Sequence, residues 1–600
     1  MSVLFSKAFS TRERRSIRAT AELAISLEEE VKITVGETDY VLVPTTSFVD
    51  FDGNPSSTVL FILEQDDVFQ PAFCSNVVFY GSTADQVQVH SDVIHELKLW
   101  NTTRWIFVAG DTSPNVARGP YVFVKSRVWQ PWRVYRDFNA TFMLDSPEAG
   151  IDGRVIVPSR CYYKPSAARP LEGARIGVKD SIDIAGHKTT LNNRAWRQLY
   201  PPATKHAHCV QLLLDAGAIV IGKLKLQAMI VREEPVEAVE FTDPFNPRGD
   251  GYQVPSGSSS GSAAAVGSYN WLDFSIGSDT NGSVRKPAHY NGCHTIRPTT
   301  GIMNNEGVVG QLPLFDMPGF FGRDLSKFPE FMSVWYGDSP RLLPPPKVPV
   351  TILYPRDYLS TPSQEQTKVI DRFVAGLEGA LAVKRTAISI AERWAEDSPD
   401  GQEHHDISKY LETKKAGIYP FFYDSYHALE SFRNEYKEKY GKAPFVHRYV
   451  HWQWDVARGM SKEERDECWR RCQVYRQWLL DRIFKVQRQG QLAYYGFPDQ
   501  GRRTKLSRLT SAVSYSLQPY GLLNGFASLN MSPIMQAPEI TAIVGQISFD
   551  SVVTQRTEPY PVAASVIGPP GADFIVTELT IKGLETAGIP IKVKTGPGVY

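Results

Sequence analysis

The chain has 600 residues, of which 42% are hydrophobic and 22% charged, and its 65 basic and 65 acidic side chains cancel. A single hydrophobic core seldom grows this large, so the length predicts two domains. A net charge of zero gives no general attraction to nucleic acid or to an anionic membrane, and small molecules are the expected partners.

The cysteines and the N-terminus predict a reduced, cytoplasmic protein. The six cysteines follow no regular spacing, which argues against a disulfide scaffold or a zinc ribbon. The first residues lack the apolar region of a secretory signal. A run of about 18 apolar residues, which a membrane-spanning helix would need, is not found. We therefore expect a cytoplasmic protein that does not span a membrane.

The first quarter of the chain predicts a compact α+β domain that is mainly β. Short β-rich runs separated by turns lie at residues 31–35, 40–43, 59–63, 77–80, 105–108 and 121–124. They contain no cluster of potential catalytic groups, so packing or dimerisation is the expected role. A segment with prolines, 157–170, is typical of a joint between domains. We place an accessory domain at 1–155 and a second domain at 156–600.

Beyond the joint, strands and helices alternate, which is typical of an α/β sheet with crossovers. Residues 174–178 predict a strand, the apolar spacing over 207–216 predicts a helix, and 219–221 predict the next strand. A Gly/Ser loop at 257–261 opens an alanine-rich helix, and 274–276 predict a strand that leads into a turn.

The region from about 398 to 501 predicts helices rich in aromatic and charged side chains. Core packing is the first expectation for its aromatic residues, and a wall of a substrate pocket is the second. The aromatic residues considered are Trp452, Trp454, Trp469, Tyr475 and Trp478.

Three polar residues at predicted element ends suggest chemistry when taken together: Lys179, Ser259 and Ser283. Each alone has an ordinary interpretation, as a solvated lysine, a flexible Gly/Ser loop and a turn. A serine hydroxyl becomes a good nucleophile when a positioned base takes its proton. A lysine can be that base only if burial lowers its pKa well below its usual value of about 10.4.

These residues lie in motifs that resemble the amidase signature family, strongly over 173–301 and more loosely to the end of the chain. The motifs are Gly177-Val-Lys179-Asp180, Gly257-Ser-Ser-Ser-Gly-Ser262 and Gly277-Ser-Asp-Thr-Asn-Gly-Ser-Val-Arg285. Ser259 and Ser283 stand 24 residues apart, as the relay and nucleophile serines do in that family. Within the family the chain looks most like plant indole-3-acetamide hydrolases, and its N-terminal part resembles an extension of some fungal amidases.

The resemblance implies an amidase-signature α/β/α sandwich with a central mixed sheet. It implies that Lys179 is the base and that Ser259 is the relay serine, in a cis peptide with Ser258. Ser283 is then the nucleophile that forms an acyl-enzyme.

The resemblance also implies residues that bind the substrate or hold the loop. Backbone N–H groups of the nucleophile and of Thr280, Asn281 and Gly282 would form the oxyanion hole. Met229 resembles a pocket-lining position, and Asp279 and Arg285 are expected to support the loop without reacting. Asn281 replaces the family's usual glycine, and because asparagine tolerates positive φ the turn can survive.

The expected function is hydrolysis of a carboxamide C–N bond in a small aryl or secondary-metabolite amide, with no cofactor and no metal. One alternative is an amide-forming acyltransferase, in which an amine attacks the same acyl-enzyme. Another is a non-catalytic docking module, as in chloroplast import receptors that resemble the plant amidases. We expect no nucleic-acid or membrane partner, and a homodimer is left open.

Two other patterns compete with this interpretation. Gly257–Gly261 matches G-x-S-x-G, which would make Ser259 the nucleophile of an α/β-hydrolase with a histidine base, but no histidine lies in a telling context. The His447–His451 pair and the cluster at 403–406 lack the glutamate of H-E-x-x-H, so solvated helix faces are expected there.

Overall fold

The computed structural model describes residues 31–35, 38–49, 66–69, 71–82, 91–109, 119–124, 127–143, 153–345, 350–358, 363–399, 405–411, 416–484, 491–496 and 526–600. These residues fall into two compact units. The first holds the described residues up to Asp137 and those from 153 to Ala174, and the second holds 138–143 and the described residues from Arg175 onward. The predicted boundary after residue 155 falls within the later segment of the first unit.

The first unit contains a six-stranded sheet in the order β4-β3-β2-β5-β6, with β1 paired to β2. Its strands are β1 Val31–Val35, β2 Thr38–Val49, β3 Asn76–Ser82, β4 Arg104–Ala109, β5 Gly119–Val124 and β6 Arg127–Trp129. The unit also has helix α1, Ser91–Leu99, and the antiparallel pair β7, Trp132–Arg136, and β8, Arg154–Pro158. Five of the six predicted strands are confirmed, and the sixth, 59–63, lies outside the described residues.

The second unit is built on a ten-stranded sheet in the order β10-β9-β11-β13-β12-β17-β18-β16-β14-β15. Its strands are β9 Arg175–Lys179, β10 Ile219–Leu224, β11 Phe274–Asp279, β12 His294–Arg297, β13 Met317–Gly322, β14 Thr351–Pro355, β15 Thr386–Ile388, β16 Gln491–Gly496, β17 Glu539–Asp550 and β18 Thr557–Ile567. Parallel pairs at both edges flank antiparallel pairs in the middle. The predicted central mixed sheet is confirmed.

Helices accompany this sheet. They are α2 Arg194–Leu199, α3 His208–Asp215, α4 Ser260–Ser268, α5 Arg285–Asn291, α6 Phe328–Tyr336, α7 Gln364–Leu381, α8 Ile390–Glu396, α9 Ile407–Tyr410, α10 Ile418–Ala428, α11 Glu430–Tyr440, α12 Arg448–Arg458, α13 Lys462–Trp478, α14 Ser528–Met535 and α15 Asp573–Thr586. Among the described residues, no helix is long and apolar enough to cross a bilayer.

Helix α4 is buried along its whole length, which its small residues permit. A Cβ added to Gly261 would lie 2.5 Å from the backbone oxygen of Lys225, so only glycine allows this approach. The close packing fixes the start of α4, and therefore the serines just before it, against the sheet.

Strands β9 and β11 are parallel neighbours, so their carboxyl ends lie at one edge of the sheet. Lys179 is the last residue of β9, and Ser278 and Asp279 are the last two of β11. The predicted strand, helix and strand over 174–221 are confirmed as β9, α3 and the parallel strand β10. The pairing of these two strands thus brings Lys179 next to Ser278 and Asp279.

The predicted helical region is confirmed by helices α9 to α13 but is wrong at its end. Residues 491–496 form strand β16, whose backbone pairs with both β14 and β18. Pairing with two distant strands overrides any local preference. The aromatic residues of the region pack in two core clusters, with Trp454 in one and Tyr475 and Trp478 in the other.

Candidate active site

Lys179 is fully buried and its amine contacts two serine hydroxyls. Nζ lies 2.9 Å from Ser258 Oγ, 2.9 Å from Ser278 Oγ and 3.4 Å from the Ser278 carbonyl oxygen. Burial lowers the pKa of Lys179 to about 7, although the negative charges of Asp279 and Asp316 act to raise it. An appreciable share of these amines is therefore neutral near pH 7 and able to accept a proton.

The serine on the lysine is Ser258, and the prediction of Ser259 at this contact is wrong. The Ser259 hydroxyl donates to the Ser278 carbonyl at 3.2 Å, and it packs so closely that a Cβ on Gly277 would lie 2.7 Å from its Oγ. The non-proline cis peptide bond joins Gly257 to Ser258, so the predicted cis bond between Ser258 and Ser259 is also wrong.

The error has a simple origin in the run of three serines before α4. A spacing of 24 residues back from Ser283 selects Ser259, whereas Ser258 lies 25 residues back. The count alone therefore selects a serine one position away from the one that contacts Lys179. Ser259, directly before α4, is turned toward β11, whereas Ser258 contacts Lys179.

Ser283 lies in the loop between β11 and α5, is partly exposed, and lines a cavity. Ser258, Thr280 and Asn281 line the same cavity, and residues 230–235 provide another wall. The predicted nucleophile and the hydroxyl on Lys179 therefore share one accessible space. Lys179 itself does not line it, because Ser258 stands between the amine and the cavity.

The helical region supplies a further wall of this cavity. Phe421 and Phe422 from α10 and Gln453 from α12 line it. None of the three belongs to a sequence motif, and only Phe421 and Phe422 share the aromatic composition of the region. The second expectation for the helical region, a wall of a pocket, therefore applies to these residues rather than to the tryptophans named above.

Asp279 organises the nucleophile loop. Its carboxylate accepts the backbone N–H of Gly282 at 2.8 Å and of Val284 at 3.0 Å. It also accepts hydrogen bonds from Arg285 and Arg297, both fully buried. Burial alone would raise the pKa of Asp279, but the two guanidinium groups hold it well below its ordinary value. The carboxylate is thus charged and fixes the turn that carries Ser283.

This contact changes the predicted oxyanion hole. The Gly282 N–H already donates a hydrogen bond to the Asp279 carboxylate, so its predicted role as an oxyanion-hole donor is wrong. Within the described residues no acceptor takes the N–H groups of Thr280, Asn281 and Ser283. These three N–H groups remain available as hydrogen-bond donors.

The nucleophile loop also forms hydrogen bonds with residues 529–539, far along the chain. Arg285 donates to the carbonyl of Leu529 at 2.9 Å and to Glu539 Oε2 at 2.7 Å. Asn281 Nδ2 donates to Asn530 Oδ1 at 2.8 Å. Separations of about 250 positions leave no local pattern that could have revealed these contacts.

Asp279→Asn should lower the unfolding free energy by about 3–5 kcal/mol, because two buried guanidinium groups lose their shared carboxylate. The measurement is a thermal denaturation curve of the variant beside the parent. The control is Glu392→Gln. The exposed Glu392 carboxylate lies 2.9 Å from Arg356, and its replacement should change the melting temperature little. An equal effect of both substitutions would contradict a structural role for the buried network.

Met229, predicted to line the pocket, does not line the cavity. It is 1% exposed and packs in a core cluster with Leu191 and Leu226. Its backbone N–H donates to the Leu191 carbonyl at 2.9 Å, and its carbonyl accepts from Gln311 Nε2 at 2.5 Å. These bonds turn the side chain inward, and the following residues, 230–235, face the cavity instead.

Metal-binding side chains do not gather in the described part of the chain, where no group of three or more His, Cys, Asp or Glu could hold an ion. His447 is buried and its Nε2 lies 3.1 Å from the Ala228 carbonyl oxygen, so the predicted solvated face is wrong at this residue, whereas His451 is exposed. His405 Nδ1 lies 2.7 Å from the Ala395 carbonyl oxygen. Residues 403 and 404 are outside the described ranges.

The strand ends, the serine loop and the nucleophile turn all lie within 159–370, which match the family model described as Amidase. This segment is similar to the amidase family. Its match to Amidase 1 of Oryza sativa subsp. japonica is 39% identical over 197 residues and covers 32% of this chain and 43% of the rice protein. A match to Translocon at the outer membrane of chloroplasts 64 of Pisum sativum is 35% identical over 169 residues and covers 28% of each chain. The chain thus spans less than half the length of these relatives.

The fold of the chain is similar to that of a solved structure over a longer stretch than the family match. A structure of the allophanate hydrolase of Kluyveromyces lactis aligns with a TM-score of 0.54 at 21% identity, over 71% of this chain and 64% of that one. At this identity the likeness concerns the fold alone. The predicted amidase-signature fold with a central mixed sheet is confirmed.

Proposed function

We propose that the protein hydrolyses a carboxamide C–N bond through an acyl-enzyme on Ser283. The observation that carries this proposal is the buried Lys179 amine, bonded to Ser258 at the edge of the cavity that Ser283 lines. A lysine whose pKa lies near 7 supplies the base that a serine nucleophile needs without histidine. The amidase match supports the same chemistry.

The reaction has two steps, acylation of Ser283 and hydrolysis of the acyl-enzyme. Ser283 Oγ attacks the carbonyl carbon, its proton passes to Ser258, and the proton of Ser258 passes to Lys179 Nζ. The oxyanion accepts hydrogen bonds from the free N–H groups of the loop. The proton returns by the same route to the leaving nitrogen, the C–N bond breaks, and an ester remains on Ser283. Water then attacks the ester with the same proton transfers, releasing the acid.

The substrate we propose is a small aryl amide or an amide of secondary metabolism. The aromatic side chains of Phe421 and Phe422 on the cavity wall support an aromatic acyl group. A panel of aryl, fatty and small aliphatic amides, assayed for ammonia or amine release, tests this choice. The cytoplasmic location and the homodimer stay predictions.

Ser258→Ala should lower kcat by about 10²–10⁴-fold, because the hydroxyl that connects the nucleophile to the lysine is lost. Ser259→Ala should have a much smaller effect, since its hydroxyl bonds only the backbone of β11. The two variants form a matched pair, measured as steady-state hydrolysis of one amide. A larger loss in Ser259→Ala would restore the relay role predicted from the sequence spacing.

A non-catalytic docking module is the second candidate, favoured by the match to the pea chloroplast translocon protein. A docking module has no need for a reactive serine. Reaction of the parent protein with a fluorophosphonate probe, followed by mass determination of the labelled peptide, separates the two. Labelling at Ser283 supports the enzyme, and absence of any adduct supports docking.

A further inference from the structure

The cavity that contains Ser283 also holds two neighbouring carboxyl groups in different states. Glu234 is paired with Arg232 at 2.8 Å. Glu233 is 6% exposed and makes no ion pair with any lysine or arginine in the described ranges. A buried carboxyl without a cation is unusual, because burial without compensation is costly. Its position on the cavity wall gives it a candidate partner, the substrate.

The Glu233 side chain is held in place while one oxygen is left open. Oε2 accepts the backbone N–H of Ala228 at 3.1 Å, and the Glu233 carbonyl accepts from Gln227 Nε2 at 2.8 Å. Oε1 makes no hydrogen bond to any described residue. The carboxyl is therefore oriented before a ligand arrives, with a polar atom available to the cavity.

The surroundings favour the protonated form of this carboxyl. Burial raises the pKa of Glu233 to about 8, the Ala228 N–H lowers it, and the charges of Asp243, Glu240 and Glu237 raise it further. The other charged groups lining the cavity are the Arg232–Glu234 pair and Lys286 of α5. Near pH 7 most molecules carry a carboxylic acid here, which can donate a hydrogen bond.

We propose that Glu233 is a specificity-determining residue that donates a hydrogen bond from its carboxylic acid to an uncharged acceptor on an aryl amide substrate. This inference rests on the proposed amidase function and names the substrate class further. Phe421 and Phe422 contact the ring, and Glu233 selects rings that carry an acceptor such as an ether or carbonyl oxygen. Sites that hydrogen-bond a substrate discriminate strongly against analogues that lack the matching group.

The test compares three kinds of arylacetamide. They are phenylacetamide, its methoxy ring isomers, which add an acceptor, and its aminomethyl ring isomers, which add a cation. The quantity measured is the ratio of kcat/KM for each substituted amide to that for phenylacetamide. Calorimetry of binding to Ser283→Ala gives the corresponding ratio of association constants, which does not depend on turnover.

Three variants separate hydrogen bonding from packing. Glu233→Leu removes the donor and should lower the ratio for the best methoxy isomer by about tenfold, mainly through KM. Glu233→Gln keeps a donor and should restore the ratio to within about threefold of the parent. Glu392→Leu is the control, since Glu392 is exposed, pairs with Arg356 at 2.9 Å, does not line the cavity and is not among the charges that act on Glu233. Its ratio should equal that of the parent.

The pH dependence distinguishes an acid from a carboxylate. The parent's methoxy ratio should fall between pH 7 and pH 9, as Glu233 loses its proton around the pKa of about 8. The Glu233→Gln ratio should stay flat over this range, because the amide does not titrate. This second variant keeps the test decisive even if Glu233→Leu fails to fold.

Several outcomes would overturn the inference. They are a methoxy ratio that Glu233→Leu leaves unchanged, a parent ratio that does not vary with pH, and a preference for the aminomethyl isomers that rises with pH. The last would make Glu233 an anionic site for a cation. Failure of the proposed function looks different, because the parent would then hydrolyse none of the amides and Ser283 would take no fluorophosphonate. Binding to Ser283→Ala would still decide the role of Glu233.

Discussion

Ser283→Ala should abolish amide hydrolysis, with kcat falling by about 10⁴–10⁶-fold, because the acyl-enzyme can no longer form. The same substitution should remove the fluorophosphonate adduct from the intact protein. Mass spectrometry of the labelled protein and a steady-state assay of amine release measure the two effects. Product analysis with an added amine then shows whether water or the amine takes the acyl group.

The control for this experiment is Ser333→Ala, an exposed serine whose hydroxyl bonds the Glu330 carbonyl at 2.7 Å. It should retain full labelling and turnover. An adduct that persists in Ser283→Ala but disappears in Ser259→Ala would identify a G-x-S-x-G nucleophile and refute the amidase mechanism.

Lys179→Met should lower kcat by about 10³–10⁴-fold, because the nucleophile loses its base while the side-chain volume is nearly kept. In the parent, the amine is active when neutral, so kcat/KM should rise with pH and level off above the pKa of about 7. This rising limb should be absent from the residual activity of the variant. The measurement is a pH–rate profile of both proteins on one amide.

The comparison variant is Lys225→Met, whose parent side chain reaches the Thr242 carbonyl at 3.1 Å outside the lysine–serine contacts. It should keep the rising limb and its midpoint. If Lys179→Met retained the parent profile, another group would have to be the base. Thermal denaturation of both variants checks that each is folded.

The sequence predicts those parts of the site that lie at the ends of strands recognisable from local sequence patterns. Lys179 ends a strand, and the buried strand 274–279 delivers Asp279 beside it because the two strands are parallel neighbours. Periodicity and turn residues are enough to place such ends. The helix α3 between β9 and β10 follows from the same signals.

The parts that the sequence does not predict depend on direction or on distant chain. Successive residues before a helix point in different directions, so a count of residues could not tell Ser258 from Ser259. The inward turn of Met229 depends on a hydrogen bond from Gln311, 82 positions later. Strand β16 forms through pairing with strands on either side of it, which no local pattern encodes.

The bonds from the nucleophile loop to Leu529, Asn530 and Glu539 have a consequence for synthesis of the protein. A ribosome adds the lysine, the serine loop and Ser283 about 250 residues before it reaches Glu539. Until then Arg285 lacks the Glu539 carboxylate and the Leu529 carbonyl, and of its partners only Asp279 is present. A nascent chain therefore carries Lys179, Ser258 and Ser283 well before it carries the residues that hold Arg285 and Asn281 in place.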